Sequence, residues 1–193
     1  MATVKRKASV KKAKPATKKQ APATKAAKAK PAPKAKRKVS AIPKGFHTAT
    51  PYLVIRDAAK ALSFYAQAFA AKEMTRMNFP DGKVMHAEIR IGDSMIMISE
   101  ENPAWGTRSP LSLGGSAAHV MLYVKNVDAF VATAINAGAN ITQPISDMFW
   151  GDRYGKITDP FGHQWSIATH IEDVPPKQMK KRADEAMKQM AQG

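Results

Sequence analysis

The 193-residue chain contains no cysteine. Disulfides, thiolate metal ligands and a cysteine nucleophile are excluded, and a reducing interior fits. No aromatic residue occurs before Phe46 and no acidic residue before Asp57. A segment with charge of one sign and almost no apolar surface cannot fold alone. No apolar run approaches the roughly 20 residues that cross a bilayer, so no membrane partner is expected. The N-terminus lacks the apolar stretch of a secretory signal and is Arg-poor for a transit peptide.

What is present divides in two. Residues 1–44 hold 14 Lys and 2 Arg and no Asp or Glu, which accounts for the whole net charge of +16. The other 15 basic residues balance the 15 acidic ones. The tail VKRKASVKKAKPATKKQAPATKAAKAKPAPKAKRKVS is expected to be disordered. It resembles the Lys/Ala/Pro arms of linker histones and histone-like bacterial proteins. Lys5, Arg6, Lys7, Lys11, Lys12, Lys14, Lys18, Lys19, Lys34, Lys36, Arg37 and Lys38 are the expected nucleic-acid contacts. Each cation can displace a condensed counterion, so binding would be salt-dependent and independent of base sequence. A solvated tail that meets any polyanion is the plain alternative. KAKRK at 34–38 also has the form of a nuclear import signal. A cytoplasmic location, with nucleoid association through the tail, follows from the nucleic-acid reading.

Residues 45–171 suffice for one domain of ordinary size. Within them the pattern repeats at an offset of 69 residues. TPYLVI alternates as a strand, Asp57 stands where a helix cap belongs, and AAKALSFYAQAFAA carries an apolar stripe of Leu62, Tyr65 and Phe69. VMHAEIRI and SMIMIS follow as strands around Gly92 and Asp93. Shifted by 69, HVMLYV alternates, Asn126 stands at the cap, VDAFVATAINA is helical, and Gly138 ends it. GKITD and HQWSIAT then flank the turn DPFG. The expectation is an α+β fold of two βαβββ modules forming a curved mixed sheet around a cavity. Module one covers 46–100, a linker 101–117, and module two 118–171. Residues 172–193 are expected to form a C-terminal helical extension.

Alternation assigns the faces. Leu53, Ile55, Ala87, Ile89, Ile91, Ile96, Ile98, Val120, Leu122 and Val124 should face the helices, with Trp165 and His163 on the same side. Thr50, Tyr52, His86, Glu88, Arg90, Met95, Met97, His119, Met121, Tyr123, Gln164 and Ser166 should face the cavity, with Tyr154 and Lys156. Such a mixture suits a small-molecule pocket, and a polar core that satisfies itself is the alternative. Trp150, Arg153, Tyr154 and Lys156 mark a rim for ligand contact. A histidine beside a carboxylate can act as a general base, which singles out His86, Glu88 and His119. No serine-nucleophile signature, phosphate loop or dinucleotide fingerprint is visible, so no cofactor is expected.

ATPYLVIRDAAKALSFYAQAF, HAEIRIGDSMIMISEE and FWGDRYGKITDPFGHQW together resemble the vicinal oxygen chelate superfamily. It includes glyoxalase I, fosfomycin- and bleomycin-resistance proteins and extradiol dioxygenases. The branch they resemble most is PhnB-like, glyoxalase/bleomycin-resistance-like. The resemblance spans about residues 46–173 and implies a small-molecule site and a homodimer. Metal-dependent members draw ligands from positions that correspond here to Thr50, Met97, His119 and Ser166. Only His119 is an ordinary ligand, so the resemblance implies no metal unless His86 and Glu88 supply a rearranged set. The implied functions are metal-independent binding of a small molecule, with Tyr52, Met97, Tyr123, Trp150, Arg153, Tyr154, Lys156 and Ser166 as contacts, or a lyase or isomerase with His119 or Glu88 as base. A third reading makes the domain a scaffold for a nucleoid-associated tail. Deleting residues 1–44 is expected to abolish retention on DNA-cellulose at matched salt. Retention that survives the deletion would contradict the tail reading.

Overall fold

The structure, a computed structural model, describes residues 39–191. The expectations for the basic tail, including Lys5 through Lys38, lie outside the described residues. Contacts divide the chain into Met1–Val39 and Ser40–Gly193, and the fold below is that of the second unit.

Module one runs β1 (Tyr52–Ile55), α1 (Ala58–Phe69), β2 (Lys72–Asn78), β3 (Val84–Ile91) and β4 (Ser94–Glu100). Module two runs β5 (His119–Tyr123), α3 (Val127–Asn136), β6 (Asn140–Asp147), β7 (Asp152–Thr158) and β8 (Gln164–His170). Between them the linker forms a 3-10 turn at Pro103–Trp105 and a short helix, α2 (Pro110–Leu113). A helix α4 (Pro176–Met190) follows module two. The strands make two four-stranded sheets, β1-β4-β3-β2 and β5-β8-β7-β6. β1 runs parallel to β4, and β5 to β8, while the other pairs are antiparallel. The duplicated α+β architecture is therefore as the repeat predicts. Register repeats with it: Tyr52 faces Met97 in one sheet and Met121 faces Ser166 in the other.

The two helix starts differ. Asn126 caps α3 as expected, its Oδ1 accepting from the Ala129 amide at 3.0 Å. Asp57 does not cap α1. Its φ of +66° is left-handed, outside the extended region a side-chain cap requires. Its carboxylate pairs with Lys60 instead. The Glu100 carboxylate, reaching over from β4, accepts from the Asp57 and Ala58 amides at 2.8 and 2.9 Å. Thr169 does the same for α3, its hydroxyl accepting from the Val127 amide at 2.8 Å. Glu100 and Thr169 are 69 residues apart, so in both modules the last strand closes the helix start.

Ala58, Ala61, Leu62, Tyr65, Ala68 and Phe69 are buried on α1 at three- and four-residue spacing. Apolar side chains of both modules form one continuous core. α1 packs against α3, with Phe69 stacked on Phe130 at 5.4 Å and Trp165 set edge-on to Phe69 at 4.7 Å. Trp165 is fully buried, as its strand phase predicts. Beneath it lies Asp159, a buried carboxylate at the β7–β8 turn. Its Oδ2 accepts from Tyr65 at 2.8 Å and from the Trp165 indole at 2.9 Å. Its Oδ1 accepts from the Phe161 and His163 amides, both at 2.9 Å. Four donors compensate its desolvation. Burial and then the nearby Asp159 push the Tyr65 hydroxyl well above its usual pKa, so it remains a donor. Burial pushes the His163 pKa below the usual range. The neutral ring donates its Nε2 proton to the Val54 carbonyl at 3.2 Å, a second tie between the modules.

The linker is pinned at its base. Bonds from the Ser112 hydroxyl, then Arg56 and Ser109, hold the Glu101 carboxyl down at about 2. Trp105 is exposed and lies edge-on to Phe79 at 5.8 Å. On α4, Arg182 forms a two-pronged pair with Glu172, at 2.7 Å on each arm. Met179, Ala183 and Ala186 are half-buried there and Met187 is exposed.

Removing the carboxylate beneath Trp165 leaves two side-chain donors buried and unpaired. Asp159→Ala is expected to cost about 3 kcal/mol or more in urea unfolding, and Tyr65→Phe only about 1 kcal/mol. A loss below about 1 kcal/mol for Asp159→Ala would contradict this account.

Candidate functional site: two open polar faces

Each sheet turns one face toward the helices, and the helices pack on each other. The opposite faces therefore point away from the shared core. No strand of one sheet pairs with a strand of the other. Tyr52, Met121 and Tyr123 on these faces are 53%, 40% and 66% exposed.

On the first sheet, one row of side chains runs Tyr52, Met97, Glu88 and Thr75 across the strands. The Tyr52 hydroxyl lies 3.3 Å from His86 Nδ1, and the rings meet edge-on at 5.8 Å. His86 Nε2 lies 3.5 Å from Glu88 Oε1. His86 and Glu88 are half-buried, whereas Arg90 is exposed. The predicted His–Glu pair is thus formed, and Tyr52 orients its imidazole from the other side.

On the second sheet the row runs Met121, Ser166, Lys156 and Gln143. His119 Nδ1 lies 3.4 Å from the Ser166 hydroxyl, and the Tyr154 hydroxyl lies 2.9 Å from the same oxygen. Trp150 meets Tyr154 edge-on at 5.7 Å. No hydrogen bond among the described residues links this group to the His86–Glu88 group. Within one chain the two groups are separate. Clefts of the single chain include one between the β2–β3 loop and the linker, one beside β5 that reaches Met121 and Tyr123, and one lined by Tyr52 and Gln164.

Arg153 points away from both faces. Its guanidinium is held by Asp128 at 2.7 Å on two arms and by Asp147 at 2.9 Å. These bonds raise its pKa further above its usual value and lower that of Asp128. Arg153 fixes the β6–β7 loop to the start of α3.

Sequence reasoning missed Asp152 and His170. Asp152 is buried, and three groups converge on it. Tyr123 donates at 3.1 Å, the Trp150 indole at 3.0 Å, and His170 Nδ1 lies 2.7 Å away. The second ring nitrogen of His170 faces Asp173 at 3.0 Å. Two carboxylates, one on each nitrogen, favour the doubly protonated ring, and the His170 pKa is raised by Asp152 first and Asp173 second. Asp152 also raises the Tyr123 pKa through its hydrogen bond. Placing the strand start at Gly155 hid Asp152, because the strand begins at Asp152 itself. Gly151 precedes it at φ +96°, and a Cβ there would lie 2.1 Å from the Glu172 carbonyl oxygen. Only glycine fits, and its carbonyl accepts from the Ile171 and Glu172 amides at 2.9 and 3.0 Å.

The positions that carry metal ligands in metal-dependent relatives fit an ion poorly here. Thr50 donates its hydroxyl to the His47 carbonyl at 3.2 Å, Met97 offers a thioether, and Ser166 is shared between His119 and Tyr154. Among the described residues no three His, Cys, Asp or Glu side chains are grouped as ligands. Among them, too, no helix is long and apolar enough to cross a membrane.

Two βαβββ modules, each with a helix on one sheet face and polar groups on the other, define a duplicated α+β fold. The Glyoxalase/Bleomycin resistance protein/Dioxygenase superfamily matches residues 45–167, and the chain belongs to that superfamily. An uncharacterized protein of Mycobacterium bovis is 44% identical over 128 residues, 65% of this chain and 84% of its own. Protein YjdN of Escherichia coli is 33% identical over 104 residues, 53% of this chain and 67% of its own. The crystal structure of TioX from Micromonospora sp. ML1 superposes with a TM-score of 0.51 at 26% identity, covering 63% of this chain and 97% of TioX. That of an Arabidopsis thaliana gene product gives 0.53 at 27% identity, covering 64% and 98%.

The His170 contacts make a pH prediction. A raised histidine pKa means that folding favours the charged ring. Its stabilising contribution is therefore complete below the ordinary value of 6.5 and is lost as pH rises through the raised folded value. An NMR titration should place the His170 midpoint above 6.5, and Asp152→Asn should lower it. A midpoint unchanged by Asp152→Asn would refute the pairing.

Proposed function

We propose that the chain is a small-molecule-binding protein of the PhnB-like branch, working without a metal ion, in a pocket assembled from two copies. The observation that carries this reading is the outward orientation of both polar faces, which makes each face half a pocket. Apposing the first-sheet face of one copy to the second-sheet face of another sets Tyr52, His86, Glu88 and Met97 against His119, Tyr154, Lys156 and Ser166. Exposed Tyr52, Met121 and Tyr123 leave water in that step, which favours association. A two-fold pairing forms two such pockets at once. One imidazole, one thioether and two hydroxyls at the ligand positions support metal independence. The three sequence segments quoted above support the PhnB-like placement. In this reading residues 1–44 tether the 45–171 domain to nucleic acid in the cytoplasm, at the nucleoid in a bacterial cell, and 172–193 form a separate extension.

A second reading, a lyase or isomerase of a small oxygenated compound, is favoured by the 3.5 Å approach of His86 to Glu88. A carboxylate that orients an imidazole prepares it to move a proton. In that case His86 moves the proton with Glu88 orienting it, or Glu88 or His119 is itself the base.

Both readings are tested on the compound that co-purifies with the full chain. Binding is expected to survive treatment with EDTA. Glu88→Ala and His119→Ala are each expected to weaken it by about tenfold or more. Mixing the two variants should restore one intact pocket per mixed dimer and recover binding that neither shows alone. Loss of binding on chelation contradicts metal independence, and failure to recover on mixing contradicts the two-copy pocket. Turnover of the compound that Glu88→Ala or His119→Ala removes would favour the second reading.

A further inference from the structure

Lys156 differs from every other lysine among the described residues. The others are exposed and Lys156 is half-buried. The lysine ion pairs among these residues belong to Lys60, Lys83 and Lys181, and Lys156 has none. It sits on the open face of the second sheet, across from Ser166 on one side and Gln143 on the other. Ser166 is itself bonded to His119 and Tyr154 at 3.4 and 2.9 Å. The buried carboxylate on that strand, Asp152, is already engaged by Tyr123, Trp150 and His170. Lys156 is therefore a cation without an ion pair, next in register to Ser166 and Gln143. A lysine held on this face without an ion pair keeps its charge available to an anionic group of a ligand.

The register makes the charge specific. Glu88 lies across from Met97 as Lys156 lies across from Ser166, and Met97 and Ser166 are 69 residues apart. The same position carries a carboxylate in one module and an ammonium in the other. Lys156 also sets a fixed positive charge beside Ser166, at the position where metal-dependent relatives supply a ligand.

We infer that the open face of the second sheet receives an oxyanion of the ligand, a carboxylate or a phosphonate. Lys156 supplies the charge, and His119, Ser166 and Tyr154 supply hydrogen bonds. Lysine suits this role as a compact charge with three donors that can follow a planar or a tetrahedral anion. The inference rests on the small-molecule reading above and names the ligand class.

The test follows the His119 imidazole signals of the full chain by NMR at fixed ionic strength, which holds the screening of the basic tail constant. Acetate, methylphosphonate and acetamide are added in turn. At least one anion should shift the signals saturably, and acetamide, the neutral counterpart of acetate, should not. The tighter of the two anions distinguishes carboxylate from phosphonate. Lys156→Met should weaken anion binding about tenfold or more, and Lys156→Arg should keep it within about threefold. The thermal melt of each variant reports its folding. Binding that survives Lys156→Met, or signals that no anion moves, overturns the inference. A neutral compound that co-purifies and shifts the same signals also overturns it and leaves the small-molecule reading standing. Lys156-dependent anion binding in a protein that retains no cellular compound supports the oxyanion site and counts against that reading.

Discussion

The Asp159 carboxylate ties the structure together. It belongs to the β7–β8 turn of the second module, and its strongest side-chain partner, Tyr65 at 2.8 Å, belongs to the helix of the first. A second bond at 2.9 Å fixes the indole of Trp165, whose ring fills the space between α1 and the second sheet. A buried carboxylate with four donors is satisfied and tolerates the loss of one, whereas loss of the carboxylate strands the donors in the core. The contact therefore sets how the modules sit on each other. Because they meet through helices and this turn, both sheets present their polar faces outward. Every feature of the candidate site follows from that arrangement.

The duplication that built the fold has diverged where chemistry is possible and persisted where geometry is needed. Glu100 and Thr169 still close the two helix starts from equivalent strand ends. On the open faces the equivalent positions differ in kind. Met97 stands opposite Glu88, and Ser166 opposite Lys156. One face gathers His86, Glu88 and Tyr52, and the other His119, Tyr154, Ser166 and Lys156. In the proposed two-copy pocket, the unlike halves would hold one end of a ligand differently from the other. A metal ion placed among hydroxyls and a thioether would gain little.

Much of this was legible in the sequence because strand alternation and the 69-residue repeat are local signals. The repeat located both helices, the core face and the DPFG turn, and it assigned Trp165 to the core. What the sequence hid depends on contacts between distant residues. Asp57 has the right residue type for a cap, yet its left-handed backbone hands the role to Glu100, 43 positions away. Arg153 sits in the expected rim segment, yet Asp128 and Asp147 draw it to the other side of the sheet. Asp152 reads as a loop residue until the strand is seen to start there and three partners converge on it. Alternation also could not say whether one chain or two would close the pocket, since both faces look alike from within a strand.

A crystal structure of the full chain with the compound it carries from the cell tests the central claim most directly. The account predicts ligand density between two copies, touching His86 or Glu88 of one and His119 or Lys156 of the other, with no metal ion between them. A ligand enclosed by a single chain, or an ion coordinated at His119, would contradict it.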